Sequence, residues 1–378
     1  MMPHGARRRN LRKGKSNIMR KTITLLASIG VLTLAAILFS GSFSSAAGQA
    51  AGPSGYRVIK AVPVGGEGFW DYLTVDSEAR RLYISHATHV TVMDTDTYAI
   101  VGEISDTEGV HGIALAPEFG RGFTSNGGTN TVTIFDLKTL KTIGRTKTGK
   151  RPDAIVYDPA SRRVFAFNGD AASATVIEAA TGNVAGTIQL GGDPEFAAAD
   201  GEGHIYDNLE DLSMVLQIDS RRLKVTNRWP LAPCKSPSSM AIDKQHRRLF
   251  VGCANRIMAI MDADNGRVVA TAAIGEGVDA NRFDPQTNYA FASNGDGTLT
   301  VVHEDSPDKF SVVENVTTRK GARTLALDER THKIFLATAE LGPMVKGAHW
   351  PPAKPGTFVI LVVARESPLA RNADPARK

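Results

Sequence analysis

The sequence predicts an all-β fold, a seven-bladed β-propeller of four-stranded blades closed by its own N-terminal strand. One observation is a segment that recurs seven times: an apolar strand, an Asp-containing turn with basic residues, then a strand opening on an aromatic. Ile155-Val-Tyr-Asp158-Pro-Ala-Ser-Arg-Arg-Val-Phe165, Ala241-Ile-Asp243-Lys-Gln-His-Arg-Arg-Leu-Phe250 and Arg282-Phe-Asp284-Pro-Gln-Thr-Asn-Tyr289 show it clearly. The period is another. Taking Asp76, Ala116, Asp158, Asp200, Asp243, Asp284 and Asp328 as equivalent, the steps are 40, 42, 42, 43, 41 and 44 residues, the spacing of propeller blades. A third is the short final unit, which matches a surplus strand near the start of the repeats.

Each unit repeats one pattern. Strand one covers Tyr72–Val75, Ile113–Ala116, Ala154–Tyr157, Phe196–Ala199, Met240–Ile242, Ala280–Phe283 or Thr324–Leu327, and strand two follows the turn, as in Val164–Phe167. Strand three alternates apolar and polar residues, as in Thr131-Val-Thr-Ile-Phe-Asp136, and ends on an acid whose oxygens suit a turn backbone. Strand four is outermost, for example Lys141-Thr-Ile-Gly144. The seventh unit stops after Phe358-Val-Ile-Leu-Val-Val363, and Tyr56-Arg-Val-Ile-Lys-Ala-Val62 matches the missing fourth strand. Pairing the two removes open sheet edges.

Charge divides the chain unevenly. The formal net charge is +5, with 44 Lys and Arg against 39 Asp and Glu. Residues 1–50 hold eight of the basic residues and no acid, so the remainder carries 36 basic against 39 acidic side chains. A bulk positive footprint for nucleic acid is absent from the body, which makes a nucleic-acid partner an unfavoured expectation. Residues 1–50 read as a secretory signal peptide: a basic segment, an apolar run from Ile23 to Phe39, and small residues near Ser45-Ala46-Ala47. Met19 is an alternative start, and an uncleaved anchor is the competing reading of the same run. The expected organisation is signal 1–50, propeller 51–365 and a disordered tail 366–378. The expected location is periplasmic or secreted, as a monomer without membrane insertion after cleavage. The two cysteines, Cys234 and Cys253, flank adjacent strands of the fifth unit, and in an exported protein they are expected to pair.

The stretch Arg121-Gly-Phe-Thr-Ser-Asn126-Gly-Gly-Thr-Asn-Thr-Val-Thr-Ile-Phe-Asp136 and its echo Ser293-Asn-Gly-Asp-Gly-Thr-Leu-Thr-Val-Val302 resemble the YVTN-type repeat. The whole chain after the leader resembles the YncE-like exported propellers. WD40-type marks are not repeated; Trp70-Asp71 occurs once. The resemblance implies a binding or scaffold role, with DNA binding proposed for some members and no settled enzymology.

Blade geometry places a candidate site at one mouth of the channel. Five residues before each reference position stand Asp71, His111, Asp153, Glu195, Ser238, Asp279 and Arg323. Near the end of strand two stand His86, Asn126, Asn168, Asn208, Cys253, Asn294 and Thr338, read as a second polar ring at the same mouth. The bland reading makes the Asn-Gly pairs tight turns, since both residues tolerate positive φ. No cofactor is required, although a divalent metal ion on Asp71, His111, Asp153 and Glu195 is a possible occupant. Arg323 suits a carboxylate or phosphate instead. The long loop between Ala339 and Phe358 offers Met344, His349 and Trp350 as a lid or partner contact. No nucleophile elbow, phosphate-binding loop or His-Glu-x-x-His motif is present. The leading expectation is therefore a small-molecule or protein binder acting at the mouth without catalysis. The alternatives are a lactonase-like metal-dependent hydrolase and a DNA-binding propeller.

Overall fold

The computed structural model describes residues 54–346 and 351–365. The expected signal 1–50, the tail 366–378 and two lid residues, His349 and Trp350, lie outside them. The described residues form seven antiparallel four-stranded sheets. Their first strands are Trp70–Asp76, Val110–Ala116, Pro152–Asp158, Pro194–Ala199, Pro237–Asp243, Val278–Asp284 and Thr324–Asp328, defining blades 1 to 7. Each first strand packs against those of both neighbouring blades, so these strands line the central channel. Tyr56–Pro63 pairs with Val359–Arg365 and completes blade 7, as the N-terminal match predicts.

The repeated aromatic is the packing unit. Tyr83, Phe123, Phe165, Tyr206, Phe250, Phe291 and Phe335 are fully buried in strand two of successive blades. Burying a side chain of this size stabilises by about 1.5–3 kcal/mol, so the ring contributes cohesion blade by blade.

The Asp turns have a second use. The Asp carboxylates accept backbone N–H groups of their own turns, as from Ala79 to Asp76 (2.9 Å) and Gln245 to Asp243 (2.9 Å). The residue that closes the turn is left-handed at Arg80, Gly120, Arg162, Arg247, Asn288 and His332, with φ of 55–61°. For residues with a Cβ this conformation is unfavourable. Three of them use it to reach the preceding blade: Arg80 donates to Asp328 (2.8 Å), Arg247 to Asp200 (2.9 Å) and His332 to Asp284 (2.7 Å). Burial would raise the Asp200 and Asp328 carboxyls, but their backbone, hydroxyl and guanidinium donors hold both below the ordinary value. Blades are thus tied by buried ion pairs on the face opposite the mouth.

Cys234 and Cys253 form a disulfide in blade 5, S–S 2.04 Å. It closes a short loop of 19 residues' separation, worth about 3 kcal/mol in chain entropy. Among the described residues no helix is long and apolar enough to cross a membrane. Both features are compatible with a secreted protein.

Candidate functional site

The inner polar ring owes its direction to an irregularity repeated in six blades. Ladder register between strands one and two slips between Trp70 and Leu73, Val110 and Ile113, Pro152 and Ile155, Pro194 and Ala197, Pro237 and Ser239, and Val278 and Ala280. Each slip is a bulge that contains the ring position, Asp71, His111, Asp153, Glu195, Ser238 or Asp279, and a bulge re-aims side chains. Serines of strand two secure the loosened backbone: Ser85 Oγ accepts from Asp71 N (3.0 Å) and Ser125 Oγ from Gly112 N (2.8 Å).

The side chains so aimed border a cavity of about 620 Å³ lined by six acids and two arginines: Asp71, Asp153, Glu195, Glu210, Glu276 and Asp279 against Arg151 and Arg323. His111 adjoins it, its Nδ1 2.6 Å from Asp71 Oδ2 and 3.6 Å from Asp153 Oδ2. Arg323 is hydrogen-bonded to Asp279. Arg151 is shared with Asp170 (2.8 Å) and Asp193 (3.1 Å), which leaves less of its charge for the cavity. Deeper in the channel, Tyr72 of blade 1 donates to the Glu195 carbonyl of blade 4 (2.9 Å) and stacks on Phe196. A contact between blades that are not neighbours must cross the channel, so it forms a floor.

The electrostatics follow from burial and crowding. Burial, with Asp153, Asp279 and Glu210 close by, pushes the Glu195 carboxyl well above its ordinary value. Asp279 is pushed up to about 7 by burial and by Asp71 and Asp153, against the pull of Arg323. Burial raises Asp153 to about 6, with His111 opposing and Asp71 reinforcing. Burial alone would lower His111, but Asp153 and Asp71 outweigh it and raise the imidazole to about 9. The carboxyls are raised first by burial and then by one another's proximity.

Of the four candidate metal ligands, Asp71, His111 and Asp153 bring donor atoms within 4.8 Å of one another; Glu195 does not join that group. A carboxylate–imidazole–carboxylate set fits a dication by donor type. Glu195 stands instead as a separate, partly exposed carboxyl on the cavity wall.

The second ring does not face the mouth. Asn126 Nδ2 donates to Thr133 (2.9 Å), Asn168 Nδ2 to Thr175 (3.0 Å) and Asn294 Nδ2 to Thr300 (3.0 Å), all buried inside their blades. These Asn-Gly pairs do not supply the positive φ of their turns; Asn130, Ala172 and Gly297 do, at the turns' far ends. His86 is buried between His89 and Phe358, and burial, then His89, lowers its imidazole to about 4. Cys253 is in the disulfide, and Thr338 donates to the Lys320 carbonyl (3.0 Å). Asn208 falls one residue short of the others, because the blade 4 turn is shorter, and donates to the Ser239 carbonyl (3.1 Å).

Reading by repeat position misses four wall residues. Phe69 is 46% exposed, with the Arg323 guanidinium 5.3 Å from its ring centre. Arg151, Glu210 and Glu276 are on loops, where no strand period marks them. The one legible signal was Phe69-Trp70-Asp71, an aromatic pair ahead of a ring carboxylate. In the long loop, Leu341 bridges Ala353, the Gly356 amide reaches the Gly66 carbonyl (3.0 Å), and Met344 is 61% exposed.

This is the architecture of a seven-bladed β-propeller with a polar mouth. The chain matches the structure of U3-55K at TM-score 0.67 and 10% identity, covering 82% of this chain and 99% of that one. It matches the crystal structure of the RRP9 WD40 repeats at TM-score 0.68 and 10% identity, covering 84% and 99%. At such identity the likeness shows the fold alone. No protein-family model matches the chain, and no curated protein matches it.

Proposed function

We propose that this protein is an exported, YncE-like propeller that binds a small, positively charged organic ligand at its mouth. The observation that carries the reading is the charge of the cavity: six acids against two arginines and the adjoining His111 imidazolium, with Asp279 raised to about 7. An ammonium group entering there gains attraction in a partly desolvated site and relieves carboxylate repulsion. The volume suits a small molecule. Phe69 at the wall adds an aromatic face of the kind that attracts ammonium groups. Support for export comes from the leader's composition and the disulfide.

The test is isothermal titration at pH 8 with a panel of aliphatic mono- and diamines, beside carboxylates of the same size. The expected result is heat and saturation with at least one amine, weakened tenfold or more by Glu195→Gln. Binding of the carboxylates alone would overturn the reading.

A second reading rests on Asp71, His111 and Asp153. If they hold a dication, it would polarise a carbonyl or activate water, as in a lactonase-like hydrolase. Asp153→Ala then abolishes turnover, whereas in a pure binder it alters affinity only.

A further inference from the structure

On the face opposite the mouth, four blade junctions follow one rule, and the junction after Asp243 departs from it. The reference carboxylates Asp158, Asp200, Asp284 and Asp328 each receive a donor from the next blade: Ser220 (2.6 Å), Arg247 (2.9 Å), His332 (2.7 Å) and Arg80 (2.8 Å). For Asp243 of blade 5, the next blade has Asn288 where the others place Arg80, Arg247 and His332.

Register identifies a second departure. Asp219 pairs with His204 and His303 with Tyr289, each at the start of strand two, so Glu304 of blade 6 occupies the position of Ser220 in blade 4. Ser220 donates to its carboxylate; Glu304 instead places another carboxylate beside Asp243. The Glu304 side chain is 1% exposed, and among the described residues no hydrogen bond satisfies either oxygen; His246 is its one close ion-pair contact. A buried carboxylate left this way is costly unless a cation compensates it.

The only nearby side chain aimed between the two acids, among the described residues, is His246. Its Nδ1 lies 2.7 Å from Asp243 Oδ2 and 3.1 Å from Glu304 Oε1. Arg248 is the nearest permanent cation, but its N–H groups go to Pro307 O (2.6 Å), Asp308 (3.1 Å) and the carbonyls of His246 and Arg247. The donor atoms of Asp243, His246 and Glu304 lie within 4.8 Å of one another. His246 is partly exposed, giving an entry path.

We infer that Asp243, His246 and Glu304 form a binding site for a divalent transition metal, Zn²⁺ or Mn²⁺ by donor type, that joins blades 5 and 6. Two carboxylates with one imidazole favour such ions over Ca²⁺, which prefers an all-oxygen shell. The ion takes the place of the donor that Arg80, Arg247 and His332 supply at three other junctions. It is separate from the mouth and does not depend on the ligand bound there.

The experiment is equilibrium dialysis against Zn²⁺ or Mn²⁺, followed by elemental analysis, on the chain expressed with its own leader and without a polyhistidine tag. Glu304→Ser, which installs the blade 4 residue, is compared with Asp153→Asn at the mouth. The parent is expected to lose one metal equivalent in Glu304→Ser and none of that equivalent in Asp153→Asn. Added metal should raise the melting temperature of the parent but not of Glu304→Ser. His246→Gln, at a partly exposed position, gives the same readout if Glu304→Ser folds poorly. A folded parent that binds no metal, or equal binding by parent, Glu304→Ser and His246→Gln, overturns the site.

Discussion

The mouth and the opposite face are built from the same residue type at fixed repeat positions, yet they are organised by contrary rules. Opposite the mouth, Asp recurs at nearly every strand end and receives donors: Asp200 from Arg247, Asp284 from His332, Asp328 from Arg80. At the mouth the repeat position carries Asp71, His111, Asp153, Glu195, Ser238, Asp279 and Arg323, and acids outnumber arginines around the cavity. Repetition with matched charge marks cohesion between blades. Variation with unmatched charge marks a surface prepared for something the chain does not itself supply. The difference also shows in protonation, since Asp200 and Asp328 are lowered while Asp153, Asp279 and Glu195 are raised.

The largest expected effect breaks the matched face. Asp328→Ala removes the buried acceptor shared by Arg80, Thr331 and the Arg330 amide, and should destabilise by about 3–5 kcal/mol in chemical denaturation, from several lost hydrogen bonds at about 1–3 kcal/mol each. Glu195→Gln at the mouth removes a raised carboxyl crowded only by other acids and should leave stability unchanged or slightly higher. Equal losses from the two would erase the distinction. Next in size is the disulfide: Cys234→Ala with Cys253→Ala should cost about 3 kcal/mol. A loss well below that would show blade 5 held by packing alone.

A smaller effect is the dependence on pH, and its sign differs between the faces. Asp200 and Asp328 have folded pKa values below the unfolded one, so their stabilisation is present above about pH 4. It is lost as pH falls through the folded values. Asp279 is raised to about 7, so it favours folding at low pH. That contribution fades as pH rises from about 4 through 7. Melting curves from pH 3 to 8 should show acid loss blunted in Asp328→Ala, and a decline above pH 5 blunted in Asp279→Asn. Unaltered profiles in both variants would contradict the assignment.

Much of the fold was legible because propeller cohesion is repetitive. The aromatic at Tyr83 through Phe335, the Asp turns and the unmatched strand Tyr56–Pro63 are all positional signals, and each has a packing or hydrogen-bonding cause. The inner ring was legible for the same reason. The bulges that aim it were not, because register slips depend on how two strands meet rather than on either one's composition. The Asn residues misled for a related reason. Asn126, Asn168 and Asn294 stand next to Gly, the pattern of a turn, but Thr pairs across the strand claim their amides. Arg151, Glu210 and Phe69 reach the cavity from loops, and loops carry no period. Glu304 shows itself only once paired strands equate it with Ser220.

The smallest expected effect sharpens the mouth itself. Phe69→Leu should keep the fold and weaken an amine ligand only a few-fold, the scale of about 0.5–1 kcal/mol for an exposed aromatic–cation contact. An unchanged affinity would remove Phe69 from the site.

The most direct test of the central claim is the pH dependence of amine affinity by isothermal titration at pH 5.5 and pH 8. If the raised carboxyls Glu195, Asp153 and Asp279 form the site, binding must expel protons from them. Affinity should then rise about tenfold or more between the two pH values, up to a factor of ten per pH unit for each proton released. Affinity that is flat or falls over this range would contradict a cation-binding mouth.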